Sequence, residues 1–153
     1  MAQKKEEFGE AIAKSMYEMA KLKVPTISIV IGEGSSGGAL AIGVTNKIFM
    51  LENAIYSILS PEGYSSILWK DSSRYKEAAE KMRLTAQDLY DLNIIDKIIK
   101  EPKTMTEDEF NVVADILRKE IKKEIENLKK LSCEEIIENR YIKFRNISGL
   151  KEI

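Results

Sequence analysis

Residues 24–40, VPTISIVIGEGSSGGAL, decide how the chain is expected to fold. Val24-Pro25 ends a preceding helix, because the residue before a proline is pushed out of helical geometry. The run 26–31 is β-branched and apolar, which predicts a buried strand. A glycine-rich loop follows, and the small residues of 37–45 predict a short buried helix that permits close backbone approach. The stretch therefore predicts a strand, a tight turn and a helix.

The flanking segments extend this α/β pattern. Apolar residues at three- and four-residue spacing predict an amphipathic helix over 3–22. Ser60 is the expected N-cap of a helix that continues with Pro61 and Glu62 in its first turn. The remaining strands are predicted at 47–51, 54–59 and 94–99, and the helices at 61–69, 73–83 and 85–91.

The pattern becomes purely helical after Pro102. Capping boxes at 106–109 and 132–135 predict the starts of two helices. The first carries an apolar stripe to about residue 130, which is expected to pack against the domain or a partner subunit. The sequence thus predicts a single domain over 1–153, with an α/β part (1–102) and a helical extension (103–153) whose hairpin spans 105–145.

Composition excludes several classes of function. The chain has 153 residues, net charge −1 and a pI near 5.7, so a nucleic-acid partner is not predicted. No apolar run reaches the ~18 residues of a membrane span, and the charged first residues are unlike a signal peptide. Cys133 is the only cysteine, which fits a reducing compartment, and a cytoplasmic location is expected.

The sequence contains no histidine. This absence removes the usual general base at neutral pH and the commonest metal ligand. A single cysteine cannot build a cysteine-rich zinc site. We therefore predict no metal in this chain.

The glycine loop matches two familiar motifs. Gly34, Ser36 and Gly38 fit G-x-S-x-G, but a serine nucleophile needs an adjacent base, and nothing pairs a lysine with Ser36. Gly32, Gly34 and Gly37 fit G-x-G-x-x-G, and Glu52 lies at the ribose-binding distance in sequence. The predicted helix is short for a dinucleotide site, however, and the sequence lacks a second cofactor-binding half.

A third interpretation makes the backbone amides of the turn the working groups. Adjacent glycines at a strand-to-helix turn can direct N–H groups, reinforced by the helix dipole, toward an oxyanion or enolate. The structural alternative is a tight turn that only allows close helix–strand packing. The pattern alone leaves both possibilities open.

Residues 24–69 resemble the carboxyltransferase alpha subunit of bacterial acetyl-coenzyme A carboxylase. The resemblance rests on VIGEGSSGGALAIG followed by MLE and YSILSPEGYSSILW. It continues through LTAQDLYDLNIIDKIIKEP (84–102) and NRYIKFR (139–145), and so covers essentially the whole chain. Members of that family are about twice as long and carry an N-terminal part with a PGAYPG-like loop, so the sequence resembles their C-terminal half.

The resemblance implies a crotonase (ClpP-like) α/β spiral of ββα units, truncated at the N-terminus, with a C-terminal helical hairpin. By match to the family motif, the backbone N–H groups of Gly37 and Gly38 form the oxyanion hole. Gly32, Gly34 and Ser36 then belong to a loop on the biotin side of the site.

The implied reaction transfers a carboxyl group from carboxybiotin, borne by the biotin carboxyl carrier protein, to acetyl-coenzyme A. The product is malonyl-coenzyme A, used in fatty acid synthesis. The implied assembly contains two alpha and two beta carboxyltransferase subunits. This chain alone is expected to be inactive, because the beta subunit and half of alpha are absent.

Two alternatives accompany this reading. Glu62, which follows a proline, resembles the catalytic acid/base of enoyl-coenzyme A hydratases and isomerases, although their PG-x-GG loop is missing here. The structural interpretation of Glu62 is a glutamate at a helix start that interacts with the first-turn amides. A non-catalytic assembly module, docking through 105–145, is the other alternative.

Overall fold

The computed structural model describes residues 2–104 and 106–147. The strands are β1 (Ile27–Val30), β2 (Glu33–Ser35), β3 (Lys47–Leu51), β4 (Ile55–Ser57) and β5 (Lys97–Ile99). The helices are α1 (Ala2–Lys21), α2 (Ser36–Ile42), α3 (Pro61–Trp69), α4 (Tyr75–Met82), α5 (Ala86–Asp91), α6 (Glu107–Leu128) and α7 (Cys133–Ile147).

Two strand–strand–helix units follow one another, β1–β2–α2 and β3–β4–α3. Equivalent strands of the two units pair in parallel: Ile29 lies opposite Phe49 in the β1–β3 pair, and Gly34 lies opposite Tyr56 in the β2–β4 pair. Strand β5 extends the first sheet to the order β1–β3–β5. The chain therefore winds as stacked ββα units, and the predicted α/β spiral is confirmed.

The core is centred on β3. Residues 48–51 of this strand are all buried, as expected for a parallel strand that is covered on both faces. Leu89 of α5, Ile99 of β5 and Val113 of α6 belong to the same apolar cluster. The stripe on α6 is only partly covered, however, because Phe110 remains 59% exposed.

The two C-terminal helices pack on different elements. Helix α6 lies against β5, where Glu120 forms an ion pair with Lys97 at 2.5 Å. Helix α7 lies against α1 and is tied to the sheet by Lys143, which forms an ion pair with Asp96. Met105 and residues 148–153, which belong to the predicted helical extension, lie outside the described residues.

Local capping is predicted correctly along the chain. Ser60 accepts a hydrogen bond from the Gly63 amide, and Thr85 accepts one from the Asp88 amide. Thr106 and Glu109 form the expected capping box. The second box is present as well, because Ser132 and Glu135 exchange side-chain to backbone hydrogen bonds.

Several predicted elements differ in extent. The strand predicted at 54–59 is reduced to β4, and the helix predicted at 37–45 is α2, which ends at Ile42. Strand β2 was expected to be loop, and it becomes a strand only through pairing with β4. The strand predicted at 94–99 is reduced to β5, because the amides of Ile94 and Ile95 bind the Leu89 carbonyl at the end of α5. The helix predicted at 73–83 divides into a short 3-10 turn (72–74) and α4, which ends at Arg83 with φ +52°.

Candidate functional site: the turn between β2 and α2

The turn that joins β2 to α2 holds an unusual backbone conformation. Ser36 has φ +69°, in the left-handed region that non-glycine residues rarely adopt. Such a conformation costs on the order of 1–3 kcal/mol and persists only where the surrounding structure enforces it. The strained residue immediately precedes Gly37 and Gly38.

The first turn of α2 lacks a side-chain cap. Ser35 occupies the N-cap position, but its side chain accepts no hydrogen bond from the helix. Its hydroxyl lies instead 3.2 Å from the hydroxyl of Ser57 on β4. Because the first amides of a helix have no intrahelical acceptor, those at the start of α2 are left available to a ligand.

The two glycines of this turn have different surroundings. A Cβ atom placed on Gly37 would lie 2.9 Å from Cδ1 of Ile12, so this glycine allows α1 to pack against the start of α2. A Cβ atom on Gly38 would have nothing within 4 Å. Gly38 therefore faces open space, whereas Gly37 has a packing role that sequence reasoning missed.

Gly32 and Gly34 line a cavity of about 360 Å³ at the outer edge of β1. Ile31 and Ile42 border the same cavity and are 67% and 68% exposed. Gly34 is glycine for a steric reason: a Cβ atom there would lie 3.1 Å from the Tyr56 ring. This cavity is thus an apolar recess beside the glycine turn.

A second cavity of about 470 Å³ lies along the paired strands β2 and β4. Its walls include Ser35, Ser57, Pro61 and Arg83. The β2–β4 pairing therefore brings the glycine turn next to the start of the SPEG segment. Glu62 lines neither cavity, and it lies exposed in the first turn of α3.

Glu52 does not serve the glycine turn. Its carboxylate lies 2.5 Å from Lys100 Nζ and also accepts a hydrogen bond from the Glu101 amide. The Lys100 hydrogen bond is the main reason that the pKa of Glu52 is lowered. This acid sits at the end of β3 with its own partners, which disfavours the dinucleotide interpretation.

The Asn139-Arg140 pair of the family motif is structural in this fold. Arg140 is 1% exposed, and its guanidinium donates to the carbonyls of Met19, Ala20 and Leu22 at the end of α1. It also donates to Asn46, whose side-chain amide in turn donates to Asn139. Burial lowers the pKa of the Arg140 guanidinium. The network holds α1, and with it Ile12, in place over the glycine turn.

Sequence reasoning missed two further residues near the turn, Tyr56 and Gly43. Tyr56 looks like an ordinary strand aromatic, and Gly43 looks like one more small residue of α2. The available signal was their combination, a buried tyrosine hydroxyl that needs a partner and a glycine at a helix end.

The described ranges contain no group of three or more histidine, cysteine, aspartate or glutamate side chains placed to hold a metal ion. In the same ranges, no helix is long and apolar enough to cross a membrane.

The stacked ββα units and the glycine turn define an α/β spiral of the crotonase-like class. A Pseudomonas malonate decarboxylase hetero-tetramer, solved in complex with coenzyme A, shares the fold of this chain with a TM-score of 0.57 and 17% identity. That match covers 72% of this chain and 46% of the solved one.

The chain belongs to the acetyl co-enzyme A carboxylase carboxyltransferase-like family, whose model matches residues 1–148. It is 58% identical over 144 residues to the acetyl-coenzyme A carboxylase carboxyl transferase subunit alpha of Clostridium acetobutylicum, over 94% of this chain and 53% of that protein. It is 52% identical to the subunits beta/alpha protein of Natranaerobius thermophilus, over 94% of this chain and 24% of that protein. The chain thus spans about half the length of the alpha subunit it matches.

Proposed function

We propose that this chain is the C-terminal part of a carboxyltransferase alpha subunit that helps transfer a carboxyl group from carboxybiotin to acetyl-coenzyme A, giving malonyl-coenzyme A. The observation that carries the proposal is the uncapped turn at the start of α2. Its amides are preceded by the strained Ser36, and the chain belongs to a carboxyltransferase family.

The role of the turn is electrostatic. Carboxybiotin supplies the carboxyl group, and negative charge develops on the ureido oxygen as that group leaves. The amides of Gly37 and Gly38 would donate hydrogen bonds to this oxygen, with the dipole of α2 adding positive potential. One such donor is typically worth ~3–4 kcal/mol in the barrier. The released ureido nitrogen can accept the methyl proton of acetyl-coenzyme A, so the chain needs no histidine base.

The proposed partners are a carboxyltransferase beta subunit, in an assembly of two alpha and two beta subunits, and the biotin carboxyl carrier protein. Support for the beta subunit comes from the Natranaerobius thermophilus relative, whose name joins both subunits. The outer edge of β1 is open to a further protein segment. No strand of the described ranges pairs with this edge, and the exposed Ile31 and Ile42 lie beside it. We expect the isolated chain to be inactive for this reason.

The alternatives fit less well. Glu62 lies outside both cavities at the glycine turn, which disfavours a hydratase that would use it as acid/base. A non-catalytic assembly module, in which the turn is purely structural, would not explain why Ser36 keeps a strained backbone conformation.

The test compares two glycine-to-alanine substitutions in a chimera, in which this chain replaces the matching segment of the Clostridium acetobutylicum alpha subunit. The chimera is assayed with that organism's beta subunit and carboxylated carrier for malonyl-coenzyme A formation. Gly38→Ala has steric room and improves helix propensity by up to about 1 kcal/mol. We expect it to keep or raise stability while lowering turnover at least about tenfold, because its methyl group occupies the ligand's approach.

Gly9→Ala is the matched control. Gly9 lies in α1 with nothing within 4 Å of its Cβ position, so it should gain stability without losing turnover. Normal turnover of Gly38→Ala would refute the role of the turn. An unsubstituted chimera that assembles but makes no malonyl-coenzyme A would refute the proposed function itself.

A further inference from the structure

Tyr56 contacts both elements that the glycine turn connects. It pairs with Gly34 across the β2–β4 ladder, and its ring lies 3.1 Å from the Cβ position of that glycine. Its hydroxyl donates to the Ala39 carbonyl of α2 at 3.3 Å and lies 2.2 Å from the Cβ position of Gly43. One side chain therefore reaches from the strand before the turn to the end of the helix after it.

The surroundings of α2 make this contact important. Tyr56 borders three separate cavities, of about 360, 340 and 1010 Å³. Helix α2 is only seven residues long and packs against α1 on one side. From the strands, the hydroxyls of Tyr56 and Ser28 donate to its Ala39 and Ile42 carbonyls, and both contacts restrict its tilt. Burial raises the pKa of the Tyr56 hydroxyl, so it remains a hydrogen-bond donor at neutral pH.

A second contact from β4 also holds the turn in position. The Ser57 hydroxyl meets the hydroxyl of Ser35 directly before the strained Ser36. At the far end of α2, the Gly43 amide donates to the same Ala39 carbonyl that accepts from Tyr56. Strand β4 thus holds the turn at its beginning and, through Tyr56, the helix at its end.

We propose that Tyr56 is a positioning residue that sets the tilt of α2, and so the placement of the Gly37 and Gly38 amides. Its contribution to carboxyl transfer rests on the proposed function, whereas its contact with Gly43 does not. The φ of Gly43 is −72°, which any residue can adopt, so backbone conformation does not require a glycine there. Gly43 is glycine because the Tyr56 hydroxyl occupies the space that a Cβ atom would need.

The contact is tested by a double-mutant cycle on this chain, followed by thermal unfolding. Gly43→Ala should lower the melting temperature by about 3–9 °C, as expected for an overpacked site in a chain of this size. Tyr56→Phe removes the atom that clashes, so the double variant should melt higher than Gly43→Ala alone. Additive losses would overturn the proposal, because they would show that the hydroxyl and Gly43 do not meet.

The positioning role is tested by the kinetics of the chimera described above. Removing only the hydroxyl, Tyr56→Phe should lower kcat about five- to tenfold, with KM for acetyl-coenzyme A unchanged within about twofold, because one neutral hydrogen bond is lost. Tyr90→Phe, at an exposed tyrosine of α5, is the matched control and should leave both constants unchanged.

The two measurements separate the possible failures. An unchanged kcat in Tyr56→Phe, or a rise in KM alone, would overturn the positioning role even if the cycle shows coupling. An unsubstituted chimera without activity would overturn the proposed function and with it the kinetic role of Tyr56. In that case the cycle still decides whether the Tyr56 hydroxyl meets Gly43.

Discussion

Replacing Arg140 by methionine should weaken the whole fold, because one buried side chain joins three parts of the chain. Its Nη1 atom lies 2.9–3.0 Å from the carbonyls of Met19, Ala20 and Leu22, and Nη2 lies 2.9 Å from the side-chain oxygen of Asn46. Methionine fills a similar volume without a donor. The substitution therefore removes the hydrogen bonds while leaving little empty space.

The magnitude follows from the acceptors that lose their donor. The Met19 carbonyl keeps the Leu22 amide as a donor, whereas the part-buried carbonyls of Ala20, Leu22 and Val24 lose theirs. Each such acceptor left unpaired costs about 1–3 kcal/mol, for a total of about 3–9 kcal/mol. Relief from burying the guanidinium offsets part of this loss, which leaves about 3–5 kcal/mol. For a chain of this length, that corresponds to a fall of about 6–20 °C in melting temperature.

The assay is thermal unfolding followed by far-ultraviolet circular dichroism, with urea unfolding as a second measure. Arg118→Met is the control, because the Arg118 side chain is 74% exposed and pairs with Asp115 only on the surface of α6. Its expected effect is within about 1 kcal/mol. If Arg140→Met melted within about 2 °C of Arg118→Met, the guanidinium would not hold α1 and α7 together.

Three further predictions concern single side chains. Ser36→Gly should relieve the left-handed backbone and stabilise the chain by up to about 1 kcal/mol in urea unfolding; a clear loss would contradict the strain. The hydrogen bond from the Thr106 amide lowers the pKa of Glu109, so its stabilisation is present above about pH 4.5 and lost as the pH falls through the lowered pKa. Glu109→Gln should therefore reduce the fall in the urea midpoint between pH 6 and pH 3.5. Glu107→Gln is the control and should leave that fall unchanged; equal effects of the two substitutions would refute the role of Glu109. Asp96→Asn should lower the free energy of unfolding in urea by about 1.5–3 kcal/mol, because Lys143 then loses its carboxylate partner. Burial already lowers the pKa of Lys143, and a loss below about 0.5 kcal/mol would contradict the prediction.

The features that sequence reasoning predicted correctly depend on neighbours a few residues away. Ser60, Thr85 and Thr106 cap their helices through hydrogen bonds to amides three residues further on, so the pattern itself contains both partners. Strand β3 was predicted with its observed bounds, because a run of residues buried on both faces is apolar throughout.

The features that it missed depend on distant partners. Strand β2 consists of Glu33, Gly34 and Ser35, a composition typical of a loop, and it is a strand only because β4 offers hydrogen bonds more than twenty residues away. Gly32 and Gly34 line the recess beside the turn. The biotin-side roles of Gly32, Gly34 and Ser36, and the amide roles of Gly37 and Gly38, remain predictions.

The sequence by itself determined the order of the elements other than β2, the caps of the helices that begin after Ser60, Thr85, Thr106 and Ser132, and the place of the glycine turn. These follow from local periodicity and from side chains that bind nearby amides. Only the tertiary structure decided why each glycine is there. Gly37 makes room for Ile12 of α1 and Gly43 makes room for the Tyr56 hydroxyl, whereas Gly38 faces open space. Such reasons lie in contacts between elements far apart in the chain, and no pattern in GEGSSGGAL contains them.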